Sequence, residues 1–208
     1  RTELVRTVIG VDKKDSGKVE IWGKDVTLSS LSKSLHKYRI GYVTENRKEE
    51  GLFLENSVTM NIGMNSLQMF NISDKFPFIS LKKETQNARD YTAKLEIKTP
   101  KLTTKVGSLS GGNQQKVVLA KWMMNAPKIL ILNEPTRGID VGAKYEIYEI
   151  MNRLVEQGVS IIMISSEMPE LLGMADRVYV MCNGKITGEI DQKEDMTQEK
   201  VMSFATQF

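Results

Sequence analysis

Two segments a short distance apart carry the residue types that could handle phosphate. The first is Leu109-Ser110-Gly111-Gly112-Asn113-Gln114-Gln115-Lys116. Ser110 is a good helix N-cap, and an apolar helical pattern follows it at Val117, Val118, Ala120, Trp122 and Met124. Backbone N–H groups in a first helical turn lack intrahelical partners and lie at the positive end of the helix dipole, where anions bind. Gly111 and Gly112 put no side chain in the way, and Gln114 belongs to the same candidate set. The second segment is Ile129-Leu130-Ile131-Leu132-Asn133-Glu134-Pro135-Thr136. Its apolar run reads as a buried parallel strand that presents Asn133 and Glu134 at its carboxyl end, where open α/β sheets bind ligands.

Other elements must position these residues. Thr2 to about Gly10 has helical spacing at Leu4, Val5, Val8 and Ile9 and ends in the turn cluster 12–17. Residues 18–22 alternate like a strand, 23–25 turn, and Val26 starts a short return, which predicts a small antiparallel β piece. Residues 29–37 read as a serine-capped helix, and 39–43 as a buried strand running into the charged loop 44–51. The pattern then changes. It predicts one helix over 58–64, a loop holding Asn71, Asp74 and Pro77, and a helix over 81–97 stopped by Lys98-Thr99-Pro100. This Met-bearing block, about residues 53–112, reads as an all-helical subdomain closed by the Ser110 helix. From Lys128 strands (128–133, 159–165, 177–181) alternate with helices (143–157, 168–174). An Asn183-Gly184 hairpin, a return strand and a terminal helix from Thr197 follow. The alternation predicts an α/β fold with a mainly parallel sheet and helices on both faces. Trp22 and Trp122 read as core, and the single His36 as a surface or edge residue.

At 208 residues and 40% hydrophobic content, one domain with a real core fits. A net charge of +3, with Lys and Arg spread along the chain, lacks the concentrated basic face of a nucleic-acid binder, so no nucleic-acid partner is expected. Cys182 is alone, which excludes an internal disulfide and fits a reducing compartment. No apolar run is long enough to span a bilayer. The sequence opens inside what reads as the first turn of a helix, so it reads as a piece of something longer.

These motifs carry a family resemblance. Leu109–Lys116 resembles the signature motif of ABC ATPases, Ile129–Pro135 their second nucleotide motif (a strand ending in Asp-Glu), and Gly138-Ile139-Asp140 their D-loop. Order and spacing agree over essentially the whole chain. Residues 113–116, 135–144 and 165–170 look like the second, C-terminal nucleotide-binding domain of the tandem ATPases that power bacterial monosaccharide import, of the galactose, ribose, xylose or multiple-sugar kind. The resemblance implies a P-loop NTPase core of the ABC type, with ATP and Mg²⁺ as cofactors, at the cytoplasmic face of the cell membrane. It implies as partners the N-terminal ABC domain of the same chain, membrane permease subunits and, indirectly, a sugar-binding protein. Residues 1–208 would be a single nucleotide-binding domain without its first strand and most of its phosphate loop.

Carried over position by position, the resemblance assigns roles. Arg1 stands where the phosphate loop has Lys, and Thr2 where it has the magnesium-binding hydroxyl. Read alone, Arg1-Thr2 would be a surface terminus, and Arg is not equivalent to Lys as a point charge. Glu45 replaces the usual Gln that reaches magnesium and the attacking water. Asn133 replaces Asp and lacks the negative charge that holds hydrated Mg²⁺. Ser166 stands at the switch His. Thr2, Glu45 and Asn133 are thus the implied, weak metal ligands. Glu134 is the implied general base, and a strand-end carboxylate in a salt bridge is the alternative. Asp140 would face the partner domain, and it can also cap the helix starting at Val141. Because the family pairs head to tail, Arg1, Glu45, Asn133 and Ser166 would form this domain's own, impaired site. Ser110, Gly111, Gly112 and Gln114 would serve the partner's ATP. The permease would dock on the block around Phe53, Leu54, Met60, Met64, Met69 and Phe70, unless these simply pack inside. The competing readings are a degenerate, mainly structural half and a soluble non-transport ABC ATPase. The latter would carry coiled-coil or basic insertions, and the sequence has none.

Overall fold

The most continuous apolar runs become the central sheet. The computed structural model describes residues 1–27, 30–73 and 76–207. In it β3 (Ile40–Val43), β6 (Ile129–Asn133) and β7 (Ser160–Ile164) pair in parallel, in the order β3-β6-β7. Their register matters for the site. Val43 lies opposite Leu132, and Asn133 opposite Ile164, so β6 and β7 end at the same level and β3 stops one residue earlier. Residues that follow them leave the sheet at one edge, as ligand-binding loops of open α/β sheets do.

Before β3 come α1 (Thr2–Val8), the antiparallel pair β1 (Val19–Ile21) and β2 (Lys24–Val26), and α2 (Leu31–Tyr38). Ser30 Oγ caps α2 by accepting from Lys33 N–H at 3.2 Å. Ser29 lies outside the described residues. His36 is exposed. Trp22 and Gly23 turn the β1–β2 hairpin with φ of 55° and 71°. Two positive-φ residues at the centre of a tight hairpin match its twist. Trp22 therefore sits at the tip, 70% exposed, and is no core residue, whereas Trp122 is buried.

The block after β3 is not all helical. The charged stretch contains a single π-type turn, Arg47–Gly51, followed by α3 (Val58–Gly63) and a 3-10 stretch, Met64–Phe70. Where the sequence suggests a loop, β4 (Asn71–Ser73) pairs antiparallel with β5 (Phe76–Ile79). Phe and Ile favour pleated backbone, and Pro77 is tolerated because an edge strand needs no donor there. Asp74 lies outside the described residues. Then α4 (Leu81–Lys94) ends short of Ile97, because Glu96 adopts a left-handed φ of 52°.

Next, α5 (Gly111–Met123) packs on β3, and α6 (Val141–Glu156) packs on β7 and on α5. Val117, Val118, Leu119, Leu130, Leu132 and Ile147 are fully buried between these layers. The chain closes with α7 (Met168–Met174), β8 (Val178–Cys182), β9 (Lys185–Ile190) and α8 (Gln198–Ala205). β8 does not extend the parallel sheet. It pairs antiparallel with β9 across Asn183-Gly184, and the hairpin packs in a second apolar cluster around Val178, Val180, Ile190, Met196 and Val201. The outer edge of β7 is left unpaired among the described residues, with Ile162 half-exposed.

Candidate functional site

The strand ends release Glu45, Glu134, Ser165 and Ser166 on one side, and the start of α1 brings Arg1 and Thr2 against them. Arg1, Thr2, Glu3, Glu45, Asn133, Glu134 and Ile164 line a cleft of about 380 Å³. Asn133 Nδ2 donates to Thr2 Oγ1 at 3.0 Å, and Thr2 Oγ1 donates to Glu45 Oε2 at 3.5 Å. Asn133 is 1% exposed and its Oδ1 has no partner among the described residues. A buried acceptor without a donor is costly unless something supplies one. Burial pushes the nearby Tyr42 phenol up, and Asn133 pulls it the other way. The other oxygen of Glu45 pairs with Arg137, and Arg1 Nη1 donates to Ser165 O at 2.8 Å.

Glu134 is held differently. Its N–H donates to Ile164 O at 2.8 Å, extending the β6–β7 ladder by one step. Its backbone then turns with φ of 50°, a left-handed conformation that a side chain other than glycine adopts at a cost of about 1 kcal/mol or more. The turn leaves the carboxylate in the cleft, where Oε2 accepts from Ser166 Oγ at 3.1 Å. No ion-pair partner holds it among the described residues.

The glycine segment lies outside this cleft. Ser110 is exposed and caps α5, accepting from Asn113 N–H at 3.4 Å and from Asn113 Nδ2 at 2.9 Å. A Cβ on Gly111 would stand 2.9 Å from Arg47 Nη2 and 3.2 Å from Gly138 O. A Cβ on Gly112 would stand 2.5 Å from Ala143 Cβ, so that glycine lets α5 and α6 touch. Gln114 is 4% exposed, and its Nε2 donates inward to Val106 O (3.3 Å) and Leu109 O (3.1 Å), bracing the loop before the helix. Asp140 Oδ1 caps α6 by accepting from Ala143 N–H at 2.9 Å.

Several contributors carry weak sequence signals. Arg47 donates to Arg137 O and Gly138 O, and only its place two residues after Glu45 hints at it. Thr136 Oγ1 donates to Glu170 Oε1 at 2.9 Å, both nearly fully buried, tying the loop after β6 to α7. Lys116 and Lys121 interrupt an apolar helix. The first pairs with Glu146 at 2.9 Å, and the second donates to Gly51 O while burial pulls its ammonium down to about 8.

Comparison with known proteins places this geometry. The ribose import ATP-binding protein RbsA of Streptococcus agalactiae serotype III (strain NEM316) is 50% identical over 206 residues, 99% of this chain and 41% of that protein. The chain thus spans about two fifths of the length of the curated relatives it matches. A solved nucleotide-free ATP-binding cassette from an ABC transporter has a TM-score of 0.78 at 25% identity, covering 97% of this chain and 79% of that one. A dimeric, post-hydrolysis ATP-binding cassette bound to ADP and Pi shares the fold, with a TM-score of 0.73 at 19% identity over 90% of this chain and 78% of that one. A model of the family described as ABC transporter matches residues 1–137, which include the glycine segment, the β6 strand end and every residue lining the cleft but Ile164, and the chain belongs to that family.

Proposed function

We propose that the chain is the C-terminal of two ATP-binding, ATP-hydrolysing domains in a bacterial monosaccharide importer, with ribose as the first sugar to test. The observation that carries this reading is the separation of the two phosphate-handling sets. Thr2, Glu45, Asn133 and Glu134 share one cleft, which Ser110, Gly111, Gly112 and Asp140 do not line. A head-to-tail partner gives the second set a nucleotide of its own to bind, and one solved cassette of this fold is dimeric. The partners are the N-terminal ABC domain of the longer protein, permease subunits and, through them, a sugar-binding protein. Phe53, Met60 and Met69 are exposed and support permease docking on the subdomain at about 53–112, whereas Phe70 is buried. No helix among the described residues is long and apolar enough to cross a membrane, so attachment at the cytoplasmic face would run through the permease. The unpaired edge of β7 supports a further strand of the longer protein seated there.

Glu134 is the general base of the cleft. Its carboxylate takes the proton of a water as that water attacks the terminal phosphorus of ATP and the bond to the bridging oxygen breaks, releasing ADP and phosphate, and Ser166 fixes the carboxylate's orientation. The Thr2 hydroxyl, a Glu45 oxygen and the orphaned Asn133 Oδ1 fit a Mg²⁺ ion that takes its remaining ligands from phosphate and water. Bound there, the ion would neutralise charge on the transferring phosphoryl group. Only one of these three ligands is charged, and Glu45 is also held by Arg137. Turnover in this cleft is therefore slow, and the domain contributes mainly by presenting Ser110, Gly111 and Gly112 to the partner's ATP. A second reading, a chiefly structural half, is favoured by the same neutral Asn133. It predicts that Glu134→Gln leaves total turnover unchanged.

The test uses the full-length protein reconstituted with its permease and sugar-binding protein in proteoliposomes. Ser110→Arg removes the larger part of sugar-stimulated ATP hydrolysis, and Glu134→Gln removes the smaller part. Loss with Glu134→Gln but not with Ser110→Arg refutes the assignment.

A further inference from the structure

Arg47 has contacts that the nucleotide chemistry leaves unexplained. It opens the π-type turn Arg47–Gly51, two residues after Glu45. Its Nη1 donates to Arg137 O at 2.6 Å and its Nη2 to Gly138 O at 2.9 Å. These are consecutive carbonyls of the loop that joins Glu134 to Asp140. A planar guanidinium can hold two such acceptors at once, and an ammonium cannot match that fork. Gly138 has a left-handed φ of 67°, and a Cβ on Gly111 would come within 2.9 Å of the same Nη2. Arg47, Gly138 and the first residue of α5 thus pack with no room for a side chain between them. A second link runs the opposite way, from the Arg137 side chain to Glu45. Segments 45–47 and 137–138 are therefore tied twice, with Gly111 resting on the tie. Arg47 has no carboxylate partner among the described residues, so only oriented carbonyls hold it, and its contacts are sensitive to small shifts.

We propose that Arg47 is a positioning residue that couples the two half-sites of this chain. Movement of Glu45 in the cleft is transmitted through Arg47 to Gly111 and to the loop ending at Asp140, the groups presented to the partner domain's ATP. The inference rests on the trans-acting role given above to Ser110, Gly111 and Gly112.

The experiment measures kcat and KM for ATP in the same reconstituted full-length transporter, with thermal unfolding alongside, for Arg47→Met, Arg47→Lys and a Ser110→Arg control. Both Arg47 variants lower kcat by about tenfold or more, because displacing positioned groups by even a fraction of an ångström is costly. KM for ATP stays within about twofold, since Arg47 does not line the cleft and acts on the partner's ATP through Gly111 and not by binding it. Lys does not rescue, because it cannot hold both carbonyls. If Arg47→Met fails to assemble, Arg47→Lys decides alone, as it keeps the charge and nearly the length. An unchanged kcat in Arg47→Met, full rescue by Lys, or a parallel loss of kcat, KM and unfolding temperature would each overturn the proposal. If Ser110→Arg is silent as well, the trans-acting reading itself has failed. If only the Arg47 variants are silent, this inference fails by itself.

Discussion

A methyl group at residue 112 has nowhere to go. An ideal Cβ there stands 2.5 Å from Ala143 Cβ, while carbon atoms in good contact sit about 3.5–4.0 Å apart. Gly112→Ala must therefore push α5 and α6 apart by about 1 Å or more, and both helices are packed on the sheet with Val117, Leu119 and Ile147 fully buried beside them. Two terms oppose each other. Alanine in a helix gains up to about 1 kcal/mol over glycine. Overpacking a closed interface costs about 1–3 kcal/mol. The overpacking term wins, because Ala143 is 8% exposed and attached to the main chain of α6, so it cannot swing aside. The expected net loss is about 1–2 kcal/mol, read as a lower midpoint in denaturant unfolding at unchanged slope. Combining it with Ala143→Gly moves the methyl across the interface. Most of the loss returns, less about 1 kcal/mol for the new helical glycine. A single variant as stable as the parent, or a double variant no better than the single, refutes the packing role.

Two further changes probe buried polar groups. Burial pulls the Lys121 ammonium down to about 8 from an ordinary value of 10.5, so below pH 8 the folded state carries a penalty of about 3 kcal/mol. Between pH 8 and 10.5 the unfolded chain binds more protons, so stability rises with pH over that window. The unfolding free energy of the parent relative to Lys121→Met should increase from pH 7 to pH 10, and a constant difference in denaturant titrations contradicts the assignment. Asn133→Asp adds the missing charge beside Thr2 and Glu45, tightening Mg²⁺-dependent nucleotide binding in the cleft by about tenfold. Without the ion the same variant loses the Asn133–Thr2 bond and buries a carboxylate, costing about 1–3 kcal/mol. Calorimetric unfolding with and without Mg²⁺ and nucleotide reads both effects.

What could be read from the sequence was what local patterning determines. The apolar runs at 40–43, 129–133 and 160–164, the caps Ser110 and Asp140, and the Asn183-Gly184 turn all follow from short-range rules, and the structure shows each of them. Where partner choice decides, local rules gave out. The Asn183-Gly184 turn pairs β8 with β9, but nothing near residues 177–181 says that β8 also stays out of the parallel sheet. Phe76–Ile79 forms a strand only because β4 is available opposite it, and Trp22 is exposed because hairpin geometry outweighs its hydrophobicity. The cleft itself was partly legible, since strand ends in register bring Glu45, Asn133 and Ser166 to one edge. The crossing of Arg47 and Arg137, some ninety residues apart, was not, because no periodicity encodes it.

In the function proposed, one chain serves two nucleotides, its own through Glu45, Asn133 and Glu134, and its partner's through Ser110, Gly111 and Gly112. Photolabelling of the full-length protein with an azido-ATP analogue, followed by peptide mapping of each domain under turnover conditions, tests it directly. With Ser110→Arg, trapping of nucleotide at the partner domain's phosphate loop is lost while labelling of this chain's own cleft persists. Loss of labelling in this cleft, with trapping at the partner intact, would contradict the account.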